Sequence, residues 1–266
     1  MSTPVEFMAA APAPLNGSSP WASRYASELR RVVHEYAARA PRSLQVHLGP
    51  SELGHACDRQ VVGKMAGVPR TNHVTDPWPS IVGTACHAWA ADAFTAWNAR
   101  HGRPRFVAEQ RVYPDDDHPG TADLYDADEQ AVVDHKFLGE TSMAKVRKEP
   151  PRHYVVQLLL YGRGYRNLGL PVRRVALAAY PRTAGSLDGL YVWEREYTPA
   201  DDELLAEVFQ QTAYRARAAE LVAASAIDLM QIPATPSDDD CYFCPFYRPQ
   251  AARDGQAGCP GNVKNN

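Results

Sequence analysis

One short segment near the middle of the chain limits the fold more than any other stretch of the sequence. Residues 120–125 (GTADLY) and 131–136 (AVVDHK) both have the composition of short strands, and the Asp-rich residues 126–130 between them are typical of a turn. The sequence therefore predicts two neighbouring strands of one sheet, the first carrying Asp123 and the second carrying Asp134.

The charged residues of this segment form a pattern typical of metal-assisted phosphodiester cleavage. Side chains at positions i and i+2 of a strand point to the same face, so Asp134 and Lys136 share a side, while His135 faces away and can offer its backbone carbonyl. Carboxylates bind Mg²⁺ or Mn²⁺, a bound metal activates water, and an ammonium group orients that water or neutralises developing charge. The pattern is weak by itself, because surface strands often carry Asp and Lys.

The composition is that of an ordinary soluble globular protein. The chain has 266 residues, which suffice for one large core with at most a small added lobe, and it is 45% hydrophobic and 22% charged. Its formal net charge of −3 excludes a global basic field, so any contact with nucleic acid must come from local patches. We see no apolar run of membrane-spanning length and no signal peptide, so we expect a cytoplasmic protein with no membrane contact.

The periodicity of the remaining sequence predicts an α/β fold, with a central mixed sheet flanked by helices. We expect a flexible arm at 1–20, a core at 21–231 and a cysteine-rich segment at 232–266. The basic residues 145–152 are expected to form a loop that is either solvated or in contact with phosphate. The other predicted elements are helices at 21–40, 53–66 (opened by Ser51 as N-cap), 81–99, 153–167 and 199–227, and strands at 44–48, 106–113, 172–180 and 190–197.

The cysteines indicate a metal site made from both ends of the chain. Cys241 and Cys244 form a C-x-x-C pair followed by Cys259, in a segment with too few apolar residues to fold by itself. Cys57 and Cys86 lie far upstream, in predicted helices. Because such thiolates converge on a soft metal, we expect a zinc ion or an iron–sulfur cluster to hold the segment.

The ordered set of motifs resembles the RecB-like branch of the PD-(D/E)xK nuclease superfamily. Within that branch it is most similar to the iron–sulfur exonucleases, which include the CRISPR-associated RecB-like nucleases, their phage relatives and the AddB nuclease module. The resemblance runs from about residue 51 to residue 261. The matching motifs, in chain order, are Cys57 in a helix, His87 in a helix after Gly83-Thr84, Gly120 to Asp123 (G-x-x-D), Asp134 to Lys136 (D-x-K), Gln157 to Tyr161 (Q-x-x-x-Y) and a cysteine-rich end.

This resemblance implies roles for the residues of each motif. A [4Fe–4S] cluster would be held by the four cysteines Cys57, Cys241, Cys244 and Cys259, as a cap made from both chain ends on a restriction-endonuclease-like core. The divalent metal, Mg²⁺ or Mn²⁺, would be held by His87, Asp123, Asp134 and the carbonyl of His135. Lys136 would be the catalytic lysine. Gln157 and Tyr161 would position DNA or support Lys136.

One departure from the family pattern concerns the last cysteine. Residues 245–258, between the C-x-x-C pair and Cys259, are more numerous than is usual in the family. Cys86 is the alternative fourth ligand, although its neighbour His87 is assigned to the catalytic metal, and we interpret Cys86 as buried and inert. Zinc on the same thiolates stays an alternative to the cluster.

The implied activity is that of a DNA exonuclease acting on single-stranded ends with 5′ to 3′ polarity. The alternatives are a structure-specific endonuclease with the same site, a non-catalytic iron–sulfur module that binds DNA or protein, and a zinc-stabilised scaffold protein. The chain has no P-loop motif, so unwinding needs a helicase partner, with recombination and CRISPR acquisition as candidate contexts. Some relatives assemble into rings, which makes an oligomer one expectation.

Overall fold

A five-stranded mixed sheet forms the centre of the larger of two structural units. The computed structural model describes residues 19–39, 48–72, 76–251 and 257–261. The smaller unit comprises the described part of Met1–Gln45 together with Asp76–Ile81, and the larger unit comprises the rest. The predicted arm and the predicted strand at 44–48 lie almost wholly outside the described residues.

The sheet has the order β1-β2-β3-β4-β5. The pairs β1–β2, β2–β3 and β4–β5 are antiparallel, whereas the central strands β3 and β4 are parallel. Parallel strands need a long crossover connection, which two helices supply here. The strands are β1 Phe106–Val112, β2 Gly120–Asp126, β3 Ala131–Leu138, β4 Arg174–Pro181 and β5 Tyr191–Glu196. The predicted mixed sheet is thus confirmed.

Helices flank this sheet, as the sequence predicts. The described α-helices of the larger unit are α2 Pro50–Leu53, α3 Asp58–Met65, α4 Trp78–His101 (whose first residues belong to the smaller unit), α5 Glu140–Lys148, α6 Arg152–Asn167, α7 Pro199–Ala223 and α8 Asp238–Phe243. Helix α1 Pro20–Ala38 belongs to the smaller unit. More than half of α6 is buried, and its run Leu158, Leu159 and Leu160 is wholly excluded from solvent in the main core. Burial of these apolar side chains is the main force that fixes α6 against the sheet. No helix of the described residues is both long and apolar enough to span a bilayer.

The sequence predicts one helix at 53–66 with Ser51 as its N-cap and Cys57 inside it, and this prediction is wrong in detail. The structure has two short helices, of which α2 has Gly49 as its N-cap and α3 has Cys57 as its N-cap. The break falls at Gly54, where a Cβ atom would lie 2.6 Å from the Cβ atom of Val156 on α6. Close packing against α6 thus fixes this point of the chain, a tertiary contact that helical periodicity does not encode.

Arg215 of α7 holds the loop between these two helices. Its guanidinium, which is wholly buried, donates hydrogen bonds to the carbonyl oxygens of Leu53 and His55 at 3.1 and 2.7 Å. It also lies 2.7 Å from the carboxylate of Asp58, the first residue of α3. A buried guanidinium needs all of these acceptors to offset its desolvation, so the loop that ends at Cys57 is closely specified.

The predicted basic loop at 145–152 is also wrong, because its first half, residues 145–148, forms the end of helix α5. Met143 and Val146 on one side of α5 are buried in the main core. Lys145, Arg147 and Lys148 occupy the last turn, where positive charge interacts favourably with the helix dipole. Apolar residues spaced by three and basic residues in the last turn both favour a helix. They favour it up to Lys148 although two prolines follow at 150 and 151.

Candidate active site and cysteine cavity

Three carboxylates lie in one row across the strands β1, β2 and β3. The β1–β2 register places Glu109 opposite Asp123. The β2–β3 ladder ends at the pair Leu124 and Val133, and continuing its register places Asp134 next to Asp123. Asp123 and Asp134 therefore lie immediately beyond the last paired residues of the β2–β3 ladder.

His87 of α4 joins two of these carboxylates. One ligand atom each from His87, Glu109 and Asp123 lies within 4.8 Å of the other two. One nitrogen and two carboxylate ligands at this separation fit Mn²⁺ or Mg²⁺. Asp134, which the sequence also predicts as a ligand, is not part of this close group.

Sequence reasoning missed Glu109. Its backbone has a φ of 52°, a left-handed conformation that residues with a Cβ atom seldom adopt. Within the β1–β2 pair, Glu109 is skipped by the ladder although residues on both sides of it are paired. Counting the register of this hairpin from its turn would have placed Glu109 opposite Asp123.

Asp123 and His87 stabilise each other's charged forms. Nδ1 of His87 lies 3.4 Å from Oδ1 of Asp123, and the backbone N–H of His135 donates to Oδ2 of Asp123 at 2.7 Å. Burial raises the pKa of Asp123, but the interactions with His87 and the His135 N–H outweigh it and lower the pKa overall. Burial lowers the pKa of His87, and Asp123 more than reverses this. Asp123 is therefore ionised.

Asp134 and Lys136 form a buried ion pair on the same side of β3, as predicted. Nζ of Lys136 lies 2.6 Å from Oδ2 of Asp134, which is completely buried. Among the described residues, neither carboxylate oxygen of Asp134 accepts a well-formed hydrogen bond. Burial raises the pKa of Asp134 to about 6, against the opposing effect of Lys136. A buried carboxylate with unsatisfied lone pairs beside a His–Glu–Asp group fits a site for a divalent cation.

Helix α6 fixes the position of the lysine ammonium. Nζ of Lys136 donates to Oε1 of Gln157 at 3.0 Å, and Nε2 of Gln157 donates to the hydroxyl of Tyr161 at 3.1 Å. The ring of Tyr154, less than one turn before Gln157, has its centre 4.9 Å from Nζ. Burial lowers the pKa of Lys136, but Asp134 reverses this and keeps the lysine protonated. The structure thus brings the predicted D-x-K and Q-x-x-x-Y motifs into contact.

Gly120 lets α6 approach the site strand. A Cβ atom at this position would lie 2.6 Å from Cγ of Pro50 and 2.8 Å from the ring of Tyr161. Only glycine therefore leaves room for α2 and α6 above the start of β2. This gives the glycine of the G-x-x-D motif a packing role three residues before Asp123.

His135 faces away from Lys136, as predicted, and its ring is neutral. The ring stacks on Phe94 of α4 with centres 5.5 Å apart and packs edge-on against Tyr180. Neither ring nitrogen has a hydrogen-bond partner among the described residues. Burial lowers the pKa of His135 to about 4. The predicted role of its carbonyl as a metal ligand stays a prediction.

The four cysteines implied by the family resemblance line one cavity. Cys57 enters it from the start of α3, Cys241 from α8, Cys244 just after α8, and Cys259 from the far end of the chain. Cys86 is not among the lining residues, and it is half-buried on α4 rather than buried as expected. The long segment before Cys259 therefore does not keep that residue from the cavity.

The spacing of these sulfur atoms bears on which group they could hold. Among the described residues, no three cysteine sulfurs lie within 4.8 Å of one another. Around one Zn²⁺, four thiolates at about 2.3 Å from the metal lie only about 3.8 Å apart. Burial raises the pKa of Cys244 to about 11, and the other cysteines add to this effect. Ionising Cys244 in this cavity is therefore costly unless a cation is bound nearby.

Backbone hydrogen bonds give the cysteine segment its shape. The N–H of Cys244 donates to the carbonyl of Cys241, and the N–H of Cys259 donates to that of Phe246 at 2.7 Å. The buried amide of Asn72 donates to the carbonyl oxygen of Cys244 at 2.9 Å. A small apolar cluster that includes Val62 and Phe246 packs around these contacts. The cavity is thus built from residues near Cys57 and from the C-terminal segment, as predicted.

Comparison with known proteins gives only distant similarities. No family model and no curated protein matches the chain. The structure of an alkaline exonuclease (LHK-Exo) from Laribacter hongkongensis matches with a TM-score of 0.45 and 12% identity, over 68% of this chain and 91% of that chain. The structure of LHK-Exo in complex with dAMP matches with a TM-score of 0.44 and 13% identity, over 68% of this chain and 93% of that chain. A phage-related exonuclease from Haemophilus somnus 129PT matches with a TM-score of 0.42 and 11% identity, over 64% of this chain and 83% of that chain. These similarities are too weak to assign a family or a function.

The substitution Glu109→Gln tests the metal-binding group. Removing one charged ligand should weaken Mn²⁺ binding by at least about tenfold, since even the loss of an outer-sphere partner often costs that much. Calorimetric titration of the folded variant with Mn²⁺ measures this. Glu129→Gln, at an exposed position in the turn between β2 and β3, is the matched control and should bind like the wild type. Equal affinity in both variants would remove Glu109 from the site.

The substitution His135→Phe tests the neutral buried histidine. The folded protein takes up a proton at His135 near pH 4, whereas the unfolded chain does so near 6.5, the ordinary value. Between these values the unfolded state binds more protons, so stability falls as the pH falls. A Phe side chain can still stack on Phe94 and cannot titrate. The melting temperature of the variant should therefore fall less than that of the wild type when the pH is lowered from 7 to 5. His101→Gln, an exposed control, should keep the wild-type slope; the same slope in His135→Phe would contradict the burial argument.

Proposed function

We propose that the chain is a metal-dependent nuclease that hydrolyses DNA phosphodiester bonds. The observation that carries this proposal is the buried Asp134–Lys136 pair beside the His87–Glu109–Asp123 group. Together these side chains supply anionic ligands for a divalent cation and one fixed positive charge, which is the combination that hydrolysis of a phosphodiester needs.

The residues of the site divide this work between metal binding and charge stabilisation. His87, Glu109 and Asp123 would hold Mg²⁺ or Mn²⁺, with the unsatisfied oxygens of Asp134 as a further ligand. The bound ion supplies Lewis-acid activation of the phosphate and of water. Lys136 stays protonated, so its ammonium group can orient the attacking water or neutralise charge that develops on the phosphate.

Helix α6 limits the ways in which that ammonium can move. Gln157 accepts a hydrogen bond from Nζ and is itself held by the hydroxyl of Tyr161, while the ring of Tyr154 covers Nζ. A charge that is fixed before the reaction pays little reorganisation energy during it. This supports a role for Gln157 and Tyr161 in positioning Lys136 rather than in the chemistry itself.

The finer assignment is a DNA exonuclease acting on single-stranded ends, with 5′ to 3′ polarity. It rests on the resemblance of the motif order to the iron–sulfur exonucleases of the RecB-like branch. The same resemblance makes a helicase, a recombination protein or a CRISPR-acquisition protein the expected partner.

We also propose a [4Fe–4S] cluster on Cys57, Cys241, Cys244 and Cys259. Two observations support it: the four residues line one cavity, and no three of their sulfurs converge to within 4.8 Å of one another, as they would around a single zinc ion. In a cluster each thiolate binds a different iron atom, so wider spacing is what the group requires. The cluster would join residues far apart in sequence and so stabilise the cap.

The activity is tested with linear single-stranded DNA labelled at the 5′ or the 3′ end, in Mn²⁺, Mg²⁺ or EDTA. Lys136→Met should slow cleavage by at least about a hundredfold, as the loss of a transition-state charge contact does, while Mn²⁺ affinity is kept. Asp92→Asn, exposed on α4, is the matched control for Asp123→Asn and should cleave normally. Cleavage of circular DNA would favour the endonuclease alternative, and metal-independent cleavage would contradict the proposal.

Metal analysis of protein purified without oxygen tests the cluster. We expect about four iron and four sulfide per chain with broad visible absorbance, and Cys241→Ser should lose both. Cys86→Ser is the matched control and should keep the full iron content, because Cys86 does not line the cavity. One zinc ion per chain without iron would establish the zinc alternative.

A further inference from the structure

One arginine, Arg59, contacts the cysteine cavity directly. It lies two residues after Cys57, in the first turn of α3, and it is one of the residues that line the cavity. Its Nη1 donates a hydrogen bond to Sγ of Cys259 at 3.1 Å. Arg59 therefore bridges the first and the last cysteine of the set, which lie near opposite ends of the chain.

Backbone groups hold this guanidinium in place. Its Nε donates to the carbonyl of Ile232 at 2.9 Å, and its Nη2 donates to the carbonyl of Met230 at 3.0 Å. The backbone N–H of Arg59 donates to the carbonyl of Pro233 at 3.0 Å. No carboxylate of the described residues forms an ion pair with Arg59, so Sγ of Cys259 is the one acceptor of its side chain that can carry a full negative charge.

The chemistry of this contact fixes which group is the donor and which is the acceptor. A guanidinium has donors and no acceptor, so the sulfur must accept the hydrogen bond. Because the donor is charged, this hydrogen bond is stronger than one from a neutral group. The positive charge of Arg59 also lies beside any group that the four sulfurs bind.

We propose that Arg59 is a positioning residue that holds the sulfur of Cys259 in the cavity and raises the reduction potential of the bound cluster. This rests on the proposed [4Fe–4S] cluster. A one-electron donor reduces the cluster from the 2+ to the 1+ core, and with four thiolates its total charge changes from −2 to −3. Hydrogen bonds to cluster sulfurs and nearby positive charge stabilise the more negative state, which moves the potential upward.

Potential measurements on two Arg59 variants test this. Wild type, Arg59→Gln and Arg59→Lys are purified without oxygen, assayed for iron, and titrated with dithionite against redox mediators while the visible and electron paramagnetic resonance spectra are recorded. Arg59→Gln should keep the absorbance and have a lower potential, because it loses the charge. Arg59→Lys keeps the charge and loses the fork of three donors, so its potential should lie between the other two. Arg217→Gln, at an exposed position on α7, is the control and should have the wild-type potential.

The outcomes separate this proposal from the one on which it rests. A wild-type potential in Arg59→Gln at full iron content would overturn the role of Arg59 and leave the cluster standing. Wild-type protein without iron would overturn the cluster, and the role of Arg59 with it. If both variants lose iron, the wild type labelled with ¹⁵N-arginine decides. Pulsed paramagnetic resonance of its reduced form should show a weak ¹⁵N coupling, and no such coupling would contradict the contact.

Discussion

The buried ion pair between Asp134 and Lys136 is the interaction on which the rest of the site depends. Removing both charges from water costs several kcal/mol each, and an apolar pair of similar size would stabilise the sheet at least as well. Each partner keeps the other charged: Lys136 opposes the effect of burial on Asp134, and Asp134 reverses it on Lys136. A buried ion pair is weak evidence for stability, so we interpret this one through the chemistry that its charges can perform.

The His87–Glu109–Asp123 group and the cysteine cavity are connected through one segment of the chain. Pro50 of α2 packs where Gly120 starts the strand of Asp123, and Cys57 lies at the next helix start. Arg215 fixes the loop between them from α7. A group that ties Cys57 to the end of the chain therefore also restrains the residues that pack against the site strand.

Local patterns in the sequence predicted the strands around Asp123 and Asp134, the shared face of Asp134 and Lys136, and the helix of Gln157, because each depends on residues near one another in the chain. The role of Glu109 could not be read the same way, since it depends on strand register and a left-handed backbone. The break at Gly54 depends on packing against α6, and the pairing of Asp134 with Lys136 rather than with the other ligands depends on burial. The misses at Glu109 and Gly54 concern contacts between distant segments of the chain.

Anomalous X-ray scattering from a crystal of the protein grown with Mn²⁺ tests the central claim most directly. We predict a manganese peak within about 2.5 Å of ligand atoms of His87, Glu109 and Asp123, in the range of metal–ligand bonds, on the side of β3 that carries Lys136. Ordered side chains of these three residues without a peak between them, at a Mn²⁺ concentration that supports cleavage, would contradict the account.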